Sequence, residues 1–312
     1  MLFGIMKKMV VADRLNVLIQ NVFGNYQTYD GFVTAVAVVC YTVQLYMDFS
    51  GTMDLVIGSA QIFGVKLPEN FQRPFFSRTI SEFWKRWHIT LGTWFKDYIF
   101  YPLSMSKPLK KLTSHARKHL GNHFGPLISG SIALLCVWVC NGLWHGAGWH
   151  YLFFGMYHFV LILCGSMVEP LVIKVTGALH IRRDSAPYRV MQIVRTGLLV
   201  CIGELFFRAE GLRAGLIMFR KMFTDFHFTA LADNSIFTIG MDKHDFLIVF
   251  LVMVLIFLIS LQQEKGIVLR EKIAARPIAV RFAVYYLLIL LIVIFGAYGA
   301  GYVPVDPIYA GF

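Results

Sequence analysis

Charge is what this sequence has least of. Only 15% of its 312 residues are Asp, Glu, Lys or Arg, where soluble domains carry about 25%. With 57% hydrophobic residues and a mean hydropathy of +0.62, a soluble globular domain is excluded. The apolar mass runs the length of the chain, which also excludes a soluble domain on a single anchor. Acidic residues are scarcer than basic ones, 18 against 29, for a net charge of +11. The basic residues stand in connections between apolar runs, so positive-inside topology accounts for them. Nothing supplies a groove or stacking surface for nucleic acid. The cysteines, Cys40, Cys136, Cys140, Cys164 and Cys201, all lie in apolar segments, and an odd number of such thiols gives no disulfide framework. Cys136 and Cys140 stand four apart without a second ligand pair at zinc spacing, so they read as packing. There is no Gly-x-Ser-x-Gly elbow, phosphate-binding glycine loop or His-Glu-x-x-His. A serine or cysteine nucleophile therefore has no support. No internal repeat, low-complexity segment or cleavable signal peptide is expected, since Lys7 and Lys8 lie inside the first apolar stretch.

What is present is a series of apolar runs near the roughly 20 residues a bilayer requires. They fall at about 32–49, 127–143, 149–168, 190–207, 246–261 and 282–298, predicting an all-α, polytopic helical membrane protein. A further segment, 1–23, reads as an amphipathic or short buried helix interrupted by Asp13 and Arg14. Residues 61–126 are too polar to span and hold eleven Lys and Arg against three Asp and Glu. Residues 169–189 hold four against two, 262–281 five against two, and 208–245 five of each. If 127–143 and 149–168 form a hairpin, the three basic connections share one side, which is the cytoplasmic one.

Between those two runs stands a glycine-rich break, Cys140-Asn141-Gly142-Leu143-Trp144-His145-Gly146-Ala147-Gly148-Trp149-His150. Irregular backbone at membrane depth is tolerated only where it is buried in protein or lines a wet cavity. An ionisable side chain there points to function, and a histidine suits proton transfer with a hydroxyl. His145 is thus the first candidate for chemistry, its alternative being a histidine that caps a broken helix. His150 and His158 flank the next helix, where interface or packing roles are expected.

Within 61–126, the aromatic residues Phe83, Trp84, Trp87, Trp94, Phe95 and Tyr98, with Leu91, share one helix face, opposite a mostly charged one. Thr79-Ile80-Ser81-Glu82 fits a capping box. The spacing predicts an interfacial amphipathic helix over 79–101. His88 lies on its aromatic side, as a second candidate or as a ligand of a backbone carbonyl. His115, His119 and His123, four apart among basic residues, read as a solvated stretch and not as a metal site. Asp48 and Asp54 close the first run. They orient a histidine, pair with Arg73 or Arg78, or belong to an ion path, and Glu204 raises the same question. From the residues alone, the chain is an enzyme or a transporter with a buried histidine site.

Four blocks then carry a resemblance: Gln44-Leu45-Tyr46-Met47-Asp48-Phe49-Ser50-Gly51, Asn70-Phe71-Gln72-Arg73-Pro74-Phe75, Ser81-Glu82-Phe83-Trp84-Lys85-Arg86-Trp87-His88-Ile89-Thr90-Leu91, and Asn141-Gly142-Leu143-Trp144-His145-Gly146. In this order they resemble the membrane-bound O-acyltransferase family, in its bacterial branch of alginate O-acetylation and teichoic-acid D-alanyl transfer proteins. Phe206-Phe207-Arg208-Ala209-Glu210 and Gly296-Ala297-Tyr298-Gly299 look like later blocks. The tail, Tyr309-Ala310-Gly311-Phe312, is less aromatic than is common in this branch. Family members of this branch carry further membrane helices ahead of the segment that begins here.

The resemblance implies one domain over 1–312, the C-terminal part of a helical ring around a tunnel, with 61–126 on the cytoplasmic side. It implies His145 as catalytic histidine and His88 as the second one. As hypotheses, His145 is general base towards the acceptor hydroxyl and His88 positions or stabilises the acyl group. Asp48, Ser50, Trp84, Trp87, Asn141 and Trp144 are expected along the substrate path. The donor is expected to be an acyl thioester, acetyl-CoA or an acyl carrier protein, with no tightly bound cofactor and no metal. The partners are an extracytoplasmic acetyltransferase protein, a polysaccharide acceptor and the bilayer of a bacterial cytoplasmic membrane. D-alanyl transfer to teichoic acid, or a non-catalytic or transport subunit, is the alternative.

Overall fold

The computed structural model describes residues 1–298, and every regular element among them is helical. The chain divides into two compact units, Met1–Glu69 with the residues from Ile217 on, and Asn70–Leu216. Gly299 of the last family block and the Tyr309–Phe312 tail lie outside the described residues.

The first unit begins with α1 (Leu2–Met6), a π-helical turn (Lys7–Ala12) and α2 (Asp13–Gly24). This stretch is continuous where the sequence suggested an interruption at Asp13 and Arg14. Both charges are buried and both are neutralised: Asp13 pairs with Lys8 at 2.9 Å, and Arg14 pairs with Asp245. A helix accommodates charge at such positions when each partner is supplied by a neighbouring element. Next comes α3 (Gly31–Ile62), capped by Asp30, whose carboxylate accepts from the Val33 N–H at 2.9 Å. A cap of this kind contributes about 1 kcal/mol.

The second unit holds α4 (Ile80–Arg86), α5 (Ile89–Phe95) and α6 (Tyr101–Ser104), then α7 (Lys107–His145), α8 (Trp149–Ala178) and α9 (Ala186–Arg208). The helix expected over 79–101 is therefore several short pieces, with α4 and α5 separated at Trp87 and His88. Helix α7 begins twenty residues before the apolar run at 127, and Gly121, at φ +77°, folds its basic first half back on the rest. Thr113 and Ser129 hydroxyls meet across that fold at 2.5 Å. Helices α7 and α8 form the hairpin on which the orientation from the charges was conditional. The segment after Gly121 meets the middle of α8, where His123 Nε2 lies 3.0 Å from the Ser166 carbonyl, and His145 lies at the other end of α7.

Helix α10 (Leu212–Thr224) leads from the second unit into the remainder of the first: α11 (Thr229–Ala232), α12 (Lys243–Glu264), α13 (Leu269–Ala274) and α14 (Ile278–Phe295). A full capping box, Asp242 with Asp245, starts α12. Six helices, α3, α7, α8, α9, α12 and α14, are long and apolar enough to cross a membrane, matching the six runs read from sequence. Large apolar side chains such as Phe250, Phe257, Phe282 and Leu287 are exposed along α12 and α14, as helices facing lipid require. The protein is an all-α, multi-pass membrane protein.

Candidate active site

The site is built in the second unit, and its first determinant is where α7 stops. Gly146 lies at φ +146°, a conformation that side-chain-bearing residues avoid, and a Cβ there would come within 2.8 Å of the Tyr151 ring. His145 is thereby the last helical residue of α7, and the chain turns over 146–148 into α8. The two helices cross closely because Gly155 on α8 sits against the Trp138 carbonyl, where a Cβ would fall at 2.3 Å. The half-buried His145 ring then rests among aromatic neighbours. Trp144 lies 4.6 Å away between centroids and Phe207 of α9 4.8 Å, edge-on, with Phe154 and Tyr151 at 6.1 and 6.2 Å.

His88 reaches the same Trp144, with ring centroids 5.9 Å apart. Its placement rests on the break between α4 and α5. His88 itself adopts the left-handed conformation, φ +45° and ψ +55°, which costs a residue with a Cβ of order 1 kcal/mol or more. The segment 70–76 holds it there. Ile89 N–H donates to the Asn70 carbonyl at 3.0 Å, Gln72 N–H to the Arg86 carbonyl at 2.9 Å, and Phe71 bridges to Trp87. The Asn70 side-chain oxygen meets three groups at once: His88 Nδ1 at 3.1 Å, Thr90 N–H at 3.2 Å and the Thr90 hydroxyl at 2.6 Å. Burial holds the His88 imidazole down at about 4, well under its ordinary 6.5, so it is neutral at any physiological pH.

The remaining sequence candidates divide among several settings. Trp144 contacts both histidines. Asn141 is buried one turn earlier on α7, its side-chain oxygen without a partner. Trp84 packs against Trp138 at 4.9 Å and His158 at 4.9 Å, one ring removed from His145 through Phe154. Trp87 is core: it stacks on Phe83 at 5.4 Å and meets Phe71 at 5.1 Å. Asp48 and Ser50 belong to the first unit, where they serve lysines. Lys8 reaches Asp48 at 2.6 Å, and Lys7 reaches Ser50 at 3.3 Å and Asp54 at 2.8 Å. Asp48 and Asp54, which sequence offered for a histidine, an arginine or an ion path, are thus in lysine pairs.

Glu204 and His158 are fully buried on α9 and α8. The His115 and His119 rings lie 4.7 Å apart, while His123 is engaged with Ser166. Among the described residues, no three His, Cys, Asp or Glu side chains converge as a metal site. Sequence reasoning gave no role to Asn70, Thr90, Phe154 or Phe207. Of these, Asn70, Thr90 and Phe207 stood in motif blocks, Asn70 eighteen residues ahead of His88, and Phe154 had no such signal.

With this geometry in hand, the chain was compared with known proteins. The family model of MBOAT, the membrane-bound O-acyltransferase family, matches residues 22–117. A probable alginate O-acetylase of Pseudomonas aeruginosa is 33% identical over 223 residues, which are 71% of this chain and 37% of that protein. A peptidoglycan O-acetyltransferase of Helicobacter pylori is 28% identical over 219 residues, 70% and 37% of the two chains. A teichoic acid D-alanyltransferase of Bacillus subtilis is 33% identical over 129 residues, 41% and 30%. The similarity thus spans well under half the length of each of these relatives.

Proposed function

The chain carries a domain of the membrane-bound O-acyltransferase family, and we propose that it moves an acyl group, acetyl foremost, from a thioester to a hydroxyl of a cell-surface polysaccharide. The donor, acetyl-CoA or an acyl carrier protein, approaches from the cytoplasmic face. The membrane is a bacterial cytoplasmic membrane, and an extracytoplasmic acetyltransferase protein completes the transfer. The observation that carries this reading is the pair of half-buried imidazoles, His145 and His88, facing a shared indole, Trp144, at the broken end of a membrane helix.

The chemistry needs a proton acceptor near neutrality, and a neutral imidazole is one. His145 takes the hydroxyl proton as the oxygen attacks the thioester carbon. A C–O bond forms, the C–S bond breaks, and the departing thiolate takes the proton back from the imidazolium. The rings of Phe154, Phe207 and Tyr151 around His145 keep water away, which limits hydrolysis of the thioester. Asn141 and Trp144 lie on the path; Asp48 and Ser50 stand in ion-paired surroundings instead.

Membranes containing the full chain, given radiolabelled acetyl thioester and a polyhydroxylated acceptor, are expected to form a base-labile ester. Label that crosses the membrane without ester formation would contradict the proposal. Such crossing is the transport alternative, whose relay would be Asp48, Asp54 and Glu204; the first two are paired with lysines. A D-alanyl thioester as second donor decides which acyl group is preferred, a choice raised by the similarity to the teichoic acid enzyme.

A further inference from the structure

Charge is spread unevenly over the second unit. Residues 98–168 contain no Asp or Glu, yet they include Lys107, Lys110, Lys111, Arg117 and Lys118, all exposed on the first half of α7. Elsewhere in the unit cations meet carboxylates: Arg86 reaches Glu82 at 2.7 Å, and Arg183 reaches Glu169 at 2.6 Å. Among the described residues, none of the five has such a partner. Their depth is set by Gly121, whose φ of +77° and ψ of −177° are essentially restricted to glycine. It folds 107–120 antiparallel onto the start of the apolar run. The Thr113 hydroxyl meets that of Ser129 at 2.5 Å, and a Cβ on Gly125 would fall 2.4 Å from the Arg117 Cα. Three residues further along each arm from the Thr113–Ser129 contact, Lys110 is level with Ile132. That is roughly 7 Å past the start of the run at 127, at 1.5 Å per residue.

We propose that this hairpin is a binding site for an anionic phospholipid, whose phosphate is held by Lys107, Lys110 and Lys111 and whose chains lie along the second arm of α7. A cation at that depth is costly unless it rises to the interface or meets an anion. A lysine stem lies along apolar surface while its ammonium reaches the headgroup level. There the anion is lipid phosphate, since 98–168 supplies no carboxylate. The second arm exposes Phe124, Ile128 and Ile132 one turn apart, a surface for acyl chains that a free phosphate would leave unused. Four or more Lys and Arg on a helix beside a span attract anionic lipid, and five stand within 107–118. The basic stretch 262–281 differs, because Glu264 and Glu271 dilute its charge. This site is independent of the acyl-transfer reading.

The test uses the full chain, purified in neutral detergent and titrated with phosphatidylglycerol or phosphatidylcholine, with bound lipid counted by native mass spectrometry. The wild type is expected to retain phosphatidylglycerol in preference, and less of it as salt rises. Combining Lys107→Gln, Lys110→Gln and Lys111→Gln is expected to weaken phosphatidylglycerol binding about 100-fold, about fivefold for each lysine. All three side chains are exposed, so the variant should melt with the wild type in phosphatidylcholine. Lys110→Gln alone, with its fivefold loss, serves if the triple variant does not fold. A control combining Lys265→Gln, Arg270→Gln and Lys272→Gln removes the same charge and should bind as the wild type does.

A second readout places the lipid. Photoactivatable phosphatidylglycerol in phosphatidylcholine nanodiscs is expected to label peptides within 107–132. Equal retention of the two lipids by the wild type would overturn the proposal, as would equal losses in the two triple variants or labelling confined to other helices. So would displacement of the lipid by glycerophosphoglycerol, the headgroup without chains, at the concentration at which phosphatidylglycerol itself displaces it. The hairpin would then be reading phosphate and not lipid. None of these readouts depends on turnover, so failure of the wild type to form ester is a separate result.

Discussion

At the scale of single residues, the account rests on two half-buried imidazoles that share an indole. Burial keeps His88 unprotonated down to about pH 4, while in the unfolded chain the same group takes a proton near 6.5. Between those values the unfolded state binds more protons, so acid favours it. The contribution is fully present above pH 6.5 and falls as pH drops towards 4, by about 3 kcal/mol at the limit. Thermal unfolding between pH 7 and pH 4.5 should therefore show a smaller acid loss for His88→Gln than for the wild type. His145 was legible in sequence because glycines at 142, 146 and 148 surround it, and the structure turns that signal into a helix end with Gly146 at φ +146°. The setting of His88 was not legible. It depends on Asn70, eighteen residues away and with no periodic relation to it.

At the scale of elements, buried charge decides which helices hold together. Asp48 is 1% exposed on α3 and pairs with Lys8 of the π-helical turn. Removing one partner of a buried pair leaves the other uncompensated, at a cost of about 3–5 kcal/mol. Lys8 also holds buried Asp13, so Asp48→Asn should lower the melting temperature in detergent, and Lys8→Met, which takes the lysine from both carboxylates, should lower it further. An unchanged melting temperature for Asp48→Asn would remove the ion pair from the account. The capping box read at 79–82 is half present. Thr79 accepts from Glu82 N–H at 3.1 Å, but the Glu82 carboxylate takes the Arg78 N–H at 2.8 Å and Arg86 at 2.7 Å. Thr79→Ala is expected to cost about 1 kcal/mol, measured in the same melts. Periodicity found the aromatic face over 83–98 but missed its fracture at 87–88. A helical face looks continuous in sequence even where a tertiary hydrogen bond bends the backbone out of it.

At the scale of the whole molecule, hydropathy alone located all six apolar helices, because length and composition are all a bilayer asks of a span. It placed their ends poorly. Helix α7 begins twenty residues before its apolar run, and α3 continues past its own to Ile62. Polar helix outside the bilayer has no hydrophobic signature. From the basic connections we propose that the Gly121 turn and the far end of α8 face the cytoplasm. Cysteines introduced at His119 or Arg182 should then react with an impermeant thiol reagent in inverted vesicles and not in intact cells. Labelling from outside would reverse the topology and place the donor on the wrong face.

The central claim is that His145 does the chemistry, and the amount of O-acyl ester on the cell-surface polysaccharide tests it most directly. In cells whose only copy carries His145→Ala, the account predicts ester at background with the protein still in the membrane at wild-type level. Ester content equal to the wild type in those cells would contradict it.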